Sequence, residues 1–216
     1  MKLATRAQEQ SLAIGIKRLT FSLACPIQLE MLFAFKPEAS ELRLYLADVG
    51  AVGVIFDLQD AEQRVMPHLR YLNAAGGELV GRWQYKHRTP SFQEIGDRSE
   101  TVSHFHLGSD GWEDIPGGQQ QLCYNEIATK QNWHYLRLGF DLASMSFTAF
   151  QCNDHHFDVS ALQPMHMPAM PNLSCMLNTV LFAEASSDLR AFLYVDSVLL
   201  SADLGASPTT PHTGGA

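Results

Sequence analysis

Charged residues are scarce in this sequence, and the basic ones are not clustered. Only 18% of the residues are charged, the formal net charge is −8, and the longest basic run is Lys86-His87-Arg88. Nucleic acids and anionic membranes are bound through clustered lysine and arginine side chains. We therefore expect neither nucleic acid nor membrane as a partner.

Closely spaced cysteines and long apolar runs are also missing. The four cysteines are Cys25, Cys123, Cys152 and Cys175, and none is part of the C-x-x-C spacing of zinc ribbons and thiol redox sites. Two disulfides remain open as an alternative. No run approaches the roughly 18 apolar residues of a membrane helix, and residues 1–10 lack the apolar segment of a signal peptide. The sequence predicts a soluble, cytoplasmic protein with reduced thiols.

Helical periodicity is nearly absent, since only residues 119–130 favour a helical turn. Residues 132–202 instead alternate apolar and polar side chains, as in NWHYLRLGFDL, which predicts half-buried strands. About twelve such strands without βαβ alternation predict two packed antiparallel sheets. Apolar residues make up 46% of the chain and supply a core. We expect one β-sandwich domain over residues 1–204 and a disordered tail over residues 205–216.

A hairpin is predicted where residues 65–73 and 79–86 flank the sequence AAGGE, because two glycines supply the positive φ of a tight turn. One face of this hairpin is polar and the other is aromatic. The polar face carries His68, Arg70, Arg82, Gln84 and Lys86.

Three segments together resemble the concanavalin A-like lectin and glucanase sandwich: NWHYLRLGFDL, then FTAFQCN with a short HFDVS, then LRAFLYVDSVLL. The resemblance covers residues 28–202. The short segments FDLQD, PHLRYLNA and CYNEIATK also resemble those of a bacterial family of unknown function. The superfamily resemblance implies an all-β jelly roll of two antiparallel sheets, whose concave sheet face holds carbohydrate in lectins, glycoside hydrolases and polysaccharide lyases.

The resemblance has departures. Related glucanases have a Glu-x-Asp-x-Glu strand, whereas FDLQD has Gln59 in place of an acid and puts Asp57 and Asp60 on opposite faces. The Arg-x-Glu-x-Arg and Gln-Ile-His strands of jelly-roll alginate lyases are absent. Nothing before Leu12 has the pattern of the opening strand that lies beside the closing one in these sandwiches, so we expect the chain to lack that strand.

Polar side chains that alternate with apolar ones are the candidate ligand-binding residues, if their strands are neighbours on one concave face. They are Asp57, Gln59, His68, Arg70, Gln84, Tyr135, Arg137 and, less directly, Glu30. If the protein is an enzyme, the base is Asp57 or Glu126, the acid is His68 or Tyr135, and Arg70 or Arg137 binds a carboxylate or a developing oxyanion. The alternative is a solvated sheet face with ordinary cross-strand ion pairs.

Metal binding has only weak candidates, and no cofactor is required by the pattern. His104 and His106 lie two residues apart and would need a third ligand such as Asp110, Glu113 or Glu126. Two surface histidines are the alternative interpretation. A calcium loop at Asn153, Asp154 and Asp158 lacks an EF-hand spacing, and a simple turn explains the same residues.

The sequence thus predicts a carbohydrate-binding protein with its ligand on the concave sheet face. One alternative is a glycoside hydrolase or polysaccharide lyase that uses the same face. The other is a non-catalytic interaction subunit or a homodimer that docks through a broad sheet face.

Overall fold

Two antiparallel sheets account for all the extended backbone in the described part of the chain. The computed structural model describes residues 1–21, 24–38, 46–87, 108, 110–122 and 131–205. Within them, fourteen strands form a six-stranded and an eight-stranded sheet. The predicted fold class, an all-β sandwich of two antiparallel sheets, is confirmed.

The six-stranded sheet brings together the two ends of the described chain. Its spatial order is β1 (Lys2–Ala4), β14 (Ala191–Ala202), β3 (Pro26–Pro37), β9 (His134–Asp141), β10 (Ser146–Cys152) and β11 (His155–Phe157).

The eight-stranded sheet contains the predicted hairpin. Its main path is β2 (Leu12–Thr20), β13 (Met176–Ala185), β4 (Val49–Gln59), β6 (His68–Ala75), β7 (Glu78–Lys86) and β8 (Trp112–Gln119). Two short strands, β5 (Arg64–Met66) and β12 (Met165–Met167), continue from the end of β4. A short 3-10 helix, Leu46–Asp48, precedes β4. None of the helical backbone described is long and apolar enough to cross a membrane.

The prediction that no strand precedes Leu12 is wrong. Strand β1 pairs with the closing strand β14, with Lys2 opposite Tyr194, and the Met1 amino group donates to the Val195 carbonyl at 2.6 Å. Three residues are too few to show an alternation, so only the pairing reveals the strand. That residues 1–204 form a single domain stays a prediction.

Aromatic side chains from both sheets meet in the layer between them. Trp83 on β7 contacts Phe150 on β10 edge to face, with ring centroids 4.8 Å apart, and Phe35 on β3 lies 5.8 Å from Tyr71 on β6. All four side chains are at most 2% exposed. Edge-to-face and tilted pairs at these distances add to the free energy gained from burying the rings. This layer holds the sheets together.

Gln120, which follows β8, satisfies the polar groups that these aromatic rings bring into the core. Its side-chain oxygen accepts from Trp83 Nε1 at 2.8 Å, and its backbone oxygen accepts from the Tyr71 hydroxyl at 3.0 Å. The side-chain Nε2 of Gln120 donates to the Cys152 carbonyl on β10 at 3.0 Å. Buried polar groups are costly without partners. One side chain therefore supplies partners in both sheets.

The predicted hairpin is confirmed. Strands β6 and β7 pair around a turn at Gly76 and Gly77, whose φ values are 59° and 82°. Arg70 lies opposite Gln84, and Tyr71 lies opposite Trp83, so the polar and aromatic faces are as predicted.

Two segments without a clear alternation form strands because of their tertiary pairing. The turn-rich sequence of residues 109–118 predicts a loop, yet β8 lies there, with Gly117 at a φ of 68° and a register shift against β7. The irregular segment 163–171 contains β12, which pairs with β5. Both faces of the closing segment, residues 191–200, are largely apolar in sequence, which predicts a strand covered on both sides. That prediction is wrong, since Asp196 and Val198 of β14 are exposed.

A second, smaller apolar cluster lies on the outer face of the eight-stranded sheet. It consists of Ile55, Met66, Met165, Met167, Val180 and Phe182, with Leu12 and Trp112 packed against it. Strand β12 supplies two of its methionines, so part of this sheet's outer face is covered by protein. Among the polar residues of this face, His68, Arg70, Gln84 and Lys86 are buried.

Gly53, in the middle of β4, is required by the close approach of Phe182. A Cβ atom at position 53 would lie 2.5 Å from the Phe182 ring and 2.6 Å from the Leu69 carbonyl oxygen. We expect Gly53→Ala to lower the free energy of unfolding by about 2–3 kcal/mol through overpacking, measured by urea denaturation. Gly15→Ala is the matched control, because its Cβ would meet only the flexible tip of Leu3 at 3.3 Å and then Met1. Equal losses for both variants would contradict this explanation.

Candidate functional site

The predicted site residues lie on two opposite faces of the sandwich. Asp57, His68, Arg70 and Gln84 alternate with core residues of the eight-stranded sheet, so their side chains are on its outer face. Tyr135 and Arg137 are on β9 of the six-stranded sheet, which pairs with β3 and β10. The prediction that all of these residues share one face is therefore wrong. The alternation showed which side chains point away from the core, but not which sheet contains each strand.

A row of polar side chains crosses the outer face of the eight-stranded sheet. The row begins at Glu184 on β13, passes over Gly53, and continues through Arg70, Gln84 and Asp114 on the next three strands. Arg70 Nε donates to Gln84 Oε1 at 2.8 Å, and Gln84 Nε2 donates to Asp114 Oδ1 at 2.8 Å. Arg70 Nη1 lies 3.6 Å from Glu184 Oε2. We call these four side chains, Glu184, Arg70, Gln84 and Asp114, the polar row.

Asp114 at the end of the row also forms an ion pair with Arg82. These two groups are the most accessible part of the arrangement, with side-chain exposures of 46% and 34%. Hydrogen bonds from Gln84 and Arg82 lower the pKa of Asp114, against a raising effect of burial. Asp114 is therefore an ionised acceptor at neutral pH.

The indole of Trp112 covers the cationic part of this face. The Arg70 guanidinium carbon lies 4.3 Å from the Trp112 ring centroid, and Lys86 Nζ lies 4.9 Å from it. Phe182 contacts the same indole, with centroids 6.3 Å apart. Cations over an indole face are attracted by the ring quadrupole, more strongly when water is excluded. The indole thus joins the apolar cluster to the polar row.

Burial shifts the pKa values of three charged groups here. Desolvation lowers the pKa of Arg70 to about 10, with a smaller opposing effect of Glu184. Desolvation, reinforced by the charge of Arg70, lowers the pKa of Lys86 to about 8. Desolvation raises the pKa of the Glu184 carboxyl, while Arg70 and Lys86 oppose this shift. The three charges are desolvated together: Glu184 stabilises both cations, whereas Arg70 and Lys86 repel each other.

His68 and Lys86 lie opposite each other on β6 and β7, and both contact the indole of Trp112. Both are fully buried. His68 Nδ1 lies 2.5 Å from the Met66 carbonyl oxygen. A carbonyl only accepts, so Nδ1 carries the proton and donates it. The His68 ring contacts Trp112 edge to face, with ring centroids 5.9 Å apart. Lys86 Nζ donates to the Gly108 carbonyl at 2.9 Å. In this conformation neither side chain reaches the surface where a ligand would lie.

Asp57 and Gln59 are held by contacts within the protein. Arg64 donates to both oxygens of Asp57, from Nε at 2.8 Å and from Nη2 at 3.0 Å. Gln59 accepts from the Met170 amide at 2.9 Å and donates to the carbonyls of Met170 and Leu173. The bonds of Asp57 hold together the connection from β4 to β5, and those of Gln59 hold the segment after β12. Both residues therefore shape the end of the sheet, and a role in ligand binding stays a prediction.

The candidates on the six-stranded sheet form a separate polar group. The Tyr135 hydroxyl donates to Glu30, and Arg137 Nε donates to Gln28 Oε1 at 2.6 Å. Hydrogen bonds from Tyr135 and Gln28 lower the pKa of Glu30. Burial, together with this bond to Glu30, raises the pKa of Tyr135. Glu30 is therefore an ionised acceptor, and Tyr135 keeps its proton at neutral pH.

Three further candidates, Glu126, His104 and His106, lie outside the described residues. Within the described ranges, no group of three or more His, Cys, Asp or Glu side chains is arranged to hold a metal ion. Asn153, considered for calcium, has a φ of 53° in the turn between β10 and β11, and its side-chain oxygen accepts from the Tyr135 amide at 3.0 Å. That side chain stabilises the turn.

Sequence reasoning missed Glu184 and gave Trp112 a different role. Glu184 is the only charged residue in MLNTVLFAEA, which was the available signal. The sequence DGWED has no strand pattern and predicts that Trp112 is a loop anchor, whereas it lies on β8 beside Arg70. Their proximity to Arg70 follows from the order of β13, β4, β6, β7 and β8, which no local pattern shows.

The fold and this site together define an antiparallel β-sandwich with a desolvated polar row on one outer face. The chain belongs to the family described as domain of unknown function DUF6772, whose model matches residues 1–204. No curated protein matches the chain.

Several solved structures are similar to this chain, and all are concanavalin A-like sandwiches. The carbohydrate recognition domain of Emp47p has a TM-score of 0.48 and 9% identity, over 93% of this chain and 82% of that one. Lectin I-B4 from Griffonia simplicifolia, in a metal-free form, has a TM-score of 0.44 and 8% identity, over 94% and 87%. Alginate lyase AlyC3, in complex with dimannuronate, has a TM-score of 0.40 and 6% identity, over 93% and 73%. Likenesses this distant say nothing about the ligand of this chain.

We expect Arg70→Ala to destabilise the protein by about 3 kcal/mol, because it leaves the half-buried Glu184 without its ion-pair partner. The substitution also removes the donor to Gln84 and the cation over Trp112. Urea denaturation at neutral pH measures the loss. Arg82→Ala is the matched control and should cost less than about 1 kcal/mol, since its ion pair with Asp114 is exposed to solvent. Similar losses in the free energy of unfolding for the two variants would contradict the larger contribution expected of the buried pair.

The free energy of unfolding should change with pH because the Lys86 amine has a different pKa in the folded and unfolded protein. Its pKa in the folded protein is lowered to about 8 from an ordinary 10.5, so folding favours the neutral amine. This contribution is fully present above about pH 10.5 and is lost as the pH falls through about 8. Arg70, Asp110 and Glu184 are the charged groups that act on it.

The test compares the unaltered protein with Lys86→Met in urea at several pH values between 7 and 11. As the pH rises through this window, the unaltered protein should gain stability relative to Lys86→Met. Groups that titrate in both proteins cancel in the difference. A difference that is constant with pH would contradict the lowered pKa.

Proposed function

We propose that this protein binds carbohydrate on the outer face of its eight-stranded sheet, at the polar row and Trp112. The observation that supports the proposal most strongly is the hydrogen-bonded order of Glu184, Arg70, Gln84 and Asp114 across neighbouring strands. Sugar hydroxyls are both donors and acceptors, so they are recognised by carboxylates, amides and guanidinium groups held in fixed positions. The row presents all three kinds of group.

The rigidity of the row favours binding. Each side chain is oriented by its neighbours before a ligand arrives, which reduces the side-chain entropy lost on association. The indole of Trp112 provides an apolar surface next to the row, and the apolar face of a sugar ring packs well on such a surface. An ordinary solvated sheet face would carry separate, exposed charges, whereas Arg70 and Gln84 are buried.

Hydrolysis by two carboxyl groups of the row is disfavoured by geometry. The pKa of Glu184 is raised and that of Asp114 is lowered, the pattern of an acid and base pair. However, the side chains of Arg70 and Gln84 lie between the two carboxyl groups and bond to them and to each other. The two carboxyl groups of a glycoside hydrolase instead flank the scissile bond across about 5–9.5 Å. Binding is therefore the better-supported function of this face.

The proposal is tested by a thermal-shift screen against neutral, acidic and amino oligosaccharides, each with calcium or with EDTA. A ligand at one hundred times its dissociation constant should stabilise the fold by about 2.7 kcal/mol. We expect one class of oligosaccharide to shift the melting temperature.

Titration calorimetry with that oligosaccharide then locates the site. Asp114→Asn should weaken binding about tenfold or more, because it removes the accessible charged acceptor of the row. Asp188→Asn, an exposed aspartate outside the row, is the matched control and should bind normally. The absence of any shift across the panel, or equal affinities of the two variants, would refute the proposed site.

A further inference from the structure

The six-stranded sheet has a depression on its outer face, on the opposite side of the sandwich from the polar row. Its volume is about 520 Å³, within the range of small-molecule sites. The polar part of its lining comes from Gln28, Arg137, Thr148, Ser201 and Asp203, around a floor at Gly139.

Arg137 is held in position with part of its hydrogen-bonding capacity unused. Its Nε donates to Gln28 Oε1 at 2.6 Å, and Gln28 also hydrogen-bonds Glu30. Throughout the described part of the chain, neither terminal nitrogen of Arg137 has a protein acceptor, and no carboxylate lies within 4 Å of it. A guanidinium with two parallel N–H groups to offer matches the two oxygens of a carboxylate.

The floor of the depression is open because residue 139 is a glycine. A Cβ atom there would lie 2.5 Å from Thr148 Oγ1 and 3.1 Å from the Ala149 Cβ. The register of β9 and β10 shifts between Phe147 and Ala149, which leaves Thr148 without a cross-strand partner and exposed. Bulges of this kind re-aim a side chain. Here the shift places a hydroxyl beside the bare backbone of Gly139.

Two more polar groups come from the end of β14. The Ser201 hydroxyl lies 3.4 Å from the Gln28 carbonyl, and the backbone amide of Asp203 donates to the Pro26 carbonyl at 2.9 Å. The Asp203 carboxylate accepts hydrogen bonds and repels an anion. A ligand carboxylate would therefore lie at the Arg137 end, with its hydroxyl groups toward Thr148, Ser201 and Asp203.

We propose that this depression is a second binding site, which takes a small hydroxycarboxylate, with the carboxylate on Arg137 and the hydroxyls on Thr148, Ser201 and Asp203. The site is independent of carbohydrate binding on the other sheet. Because Glu30 and Asp203 are both nearby anions and the depression is open, we expect weak binding, with a dissociation constant on the order of 1 mM.

The test is titration calorimetry with gluconate and sorbitol, which differ only in a carboxylate against a hydroxymethyl group. The unaltered protein should bind gluconate at least about tenfold more tightly than sorbitol, since charge-assisted pairs to arginine are the stronger contacts. Arg137→Gln should weaken gluconate binding about tenfold or more, whereas Arg190→Gln, an exposed arginine elsewhere, should not change it. Thr148→Val should weaken it about threefold through one lost hydrogen bond.

Circular dichroism and melting temperature check that the variants are folded. Equal affinities for gluconate and sorbitol, or normal gluconate binding by Arg137→Gln, would overturn the proposal. If Arg137→Gln does not fold, the ligand pair and Thr148→Val decide the question. Saturating gluconate should leave oligosaccharide binding unchanged, so the two proposed sites can fail separately.

Discussion

The aromatic layer between the two sheets is the constraint on which the rest of this structure depends. Trp83 and Tyr71 from one sheet pack against Phe150 and Phe35 from the other. Two of these rings carry polar groups, which would oppose burial if Gln120 did not bond to both. Because the aromatic side chains of β6 and β7 point inward, the alternate residues of the same strands must point outward. The core thereby determines which polar groups the outer face presents.

That outer face is unusual because it is partly covered. Strand β12 adds methionines to Ile55 and Phe182, and this second apolar cluster lies directly beside the polar row. Burial then makes each charge dependent on its neighbours: Arg70 on Glu184, and both Arg70 and Lys86 on the indole of Trp112. A surface of this kind costs stability to maintain. The proposed ligand binding would offset this cost with a functional gain.

The polar group on the outer face of the six-stranded sheet is built differently. It comes from neighbouring strands without an apolar cover, and space is made by Gly139 and by the register shift at Thr148. Arg137 is oriented by Gln28 and keeps two donors for a ligand or water. The two faces thus differ in chemistry, one being a rigid desolvated row and the other an open depression around one cation.

The sequence by itself determined the fold class, the β6 to β7 hairpin and the inward or outward direction of most side chains. These follow from a period of two residues and from the glycines of one turn, which are local properties. It did not show strands β1, β8 and β12, which are short or irregular and exist through pairing with distant partners. Only the tertiary structure decided that Arg70 and Arg137 lie on opposite faces and that Glu184 lies beside Arg70. The reason is physical: alternation gives a side chain's direction relative to its own strand, whereas the neighbours of that strand depend on long-range packing.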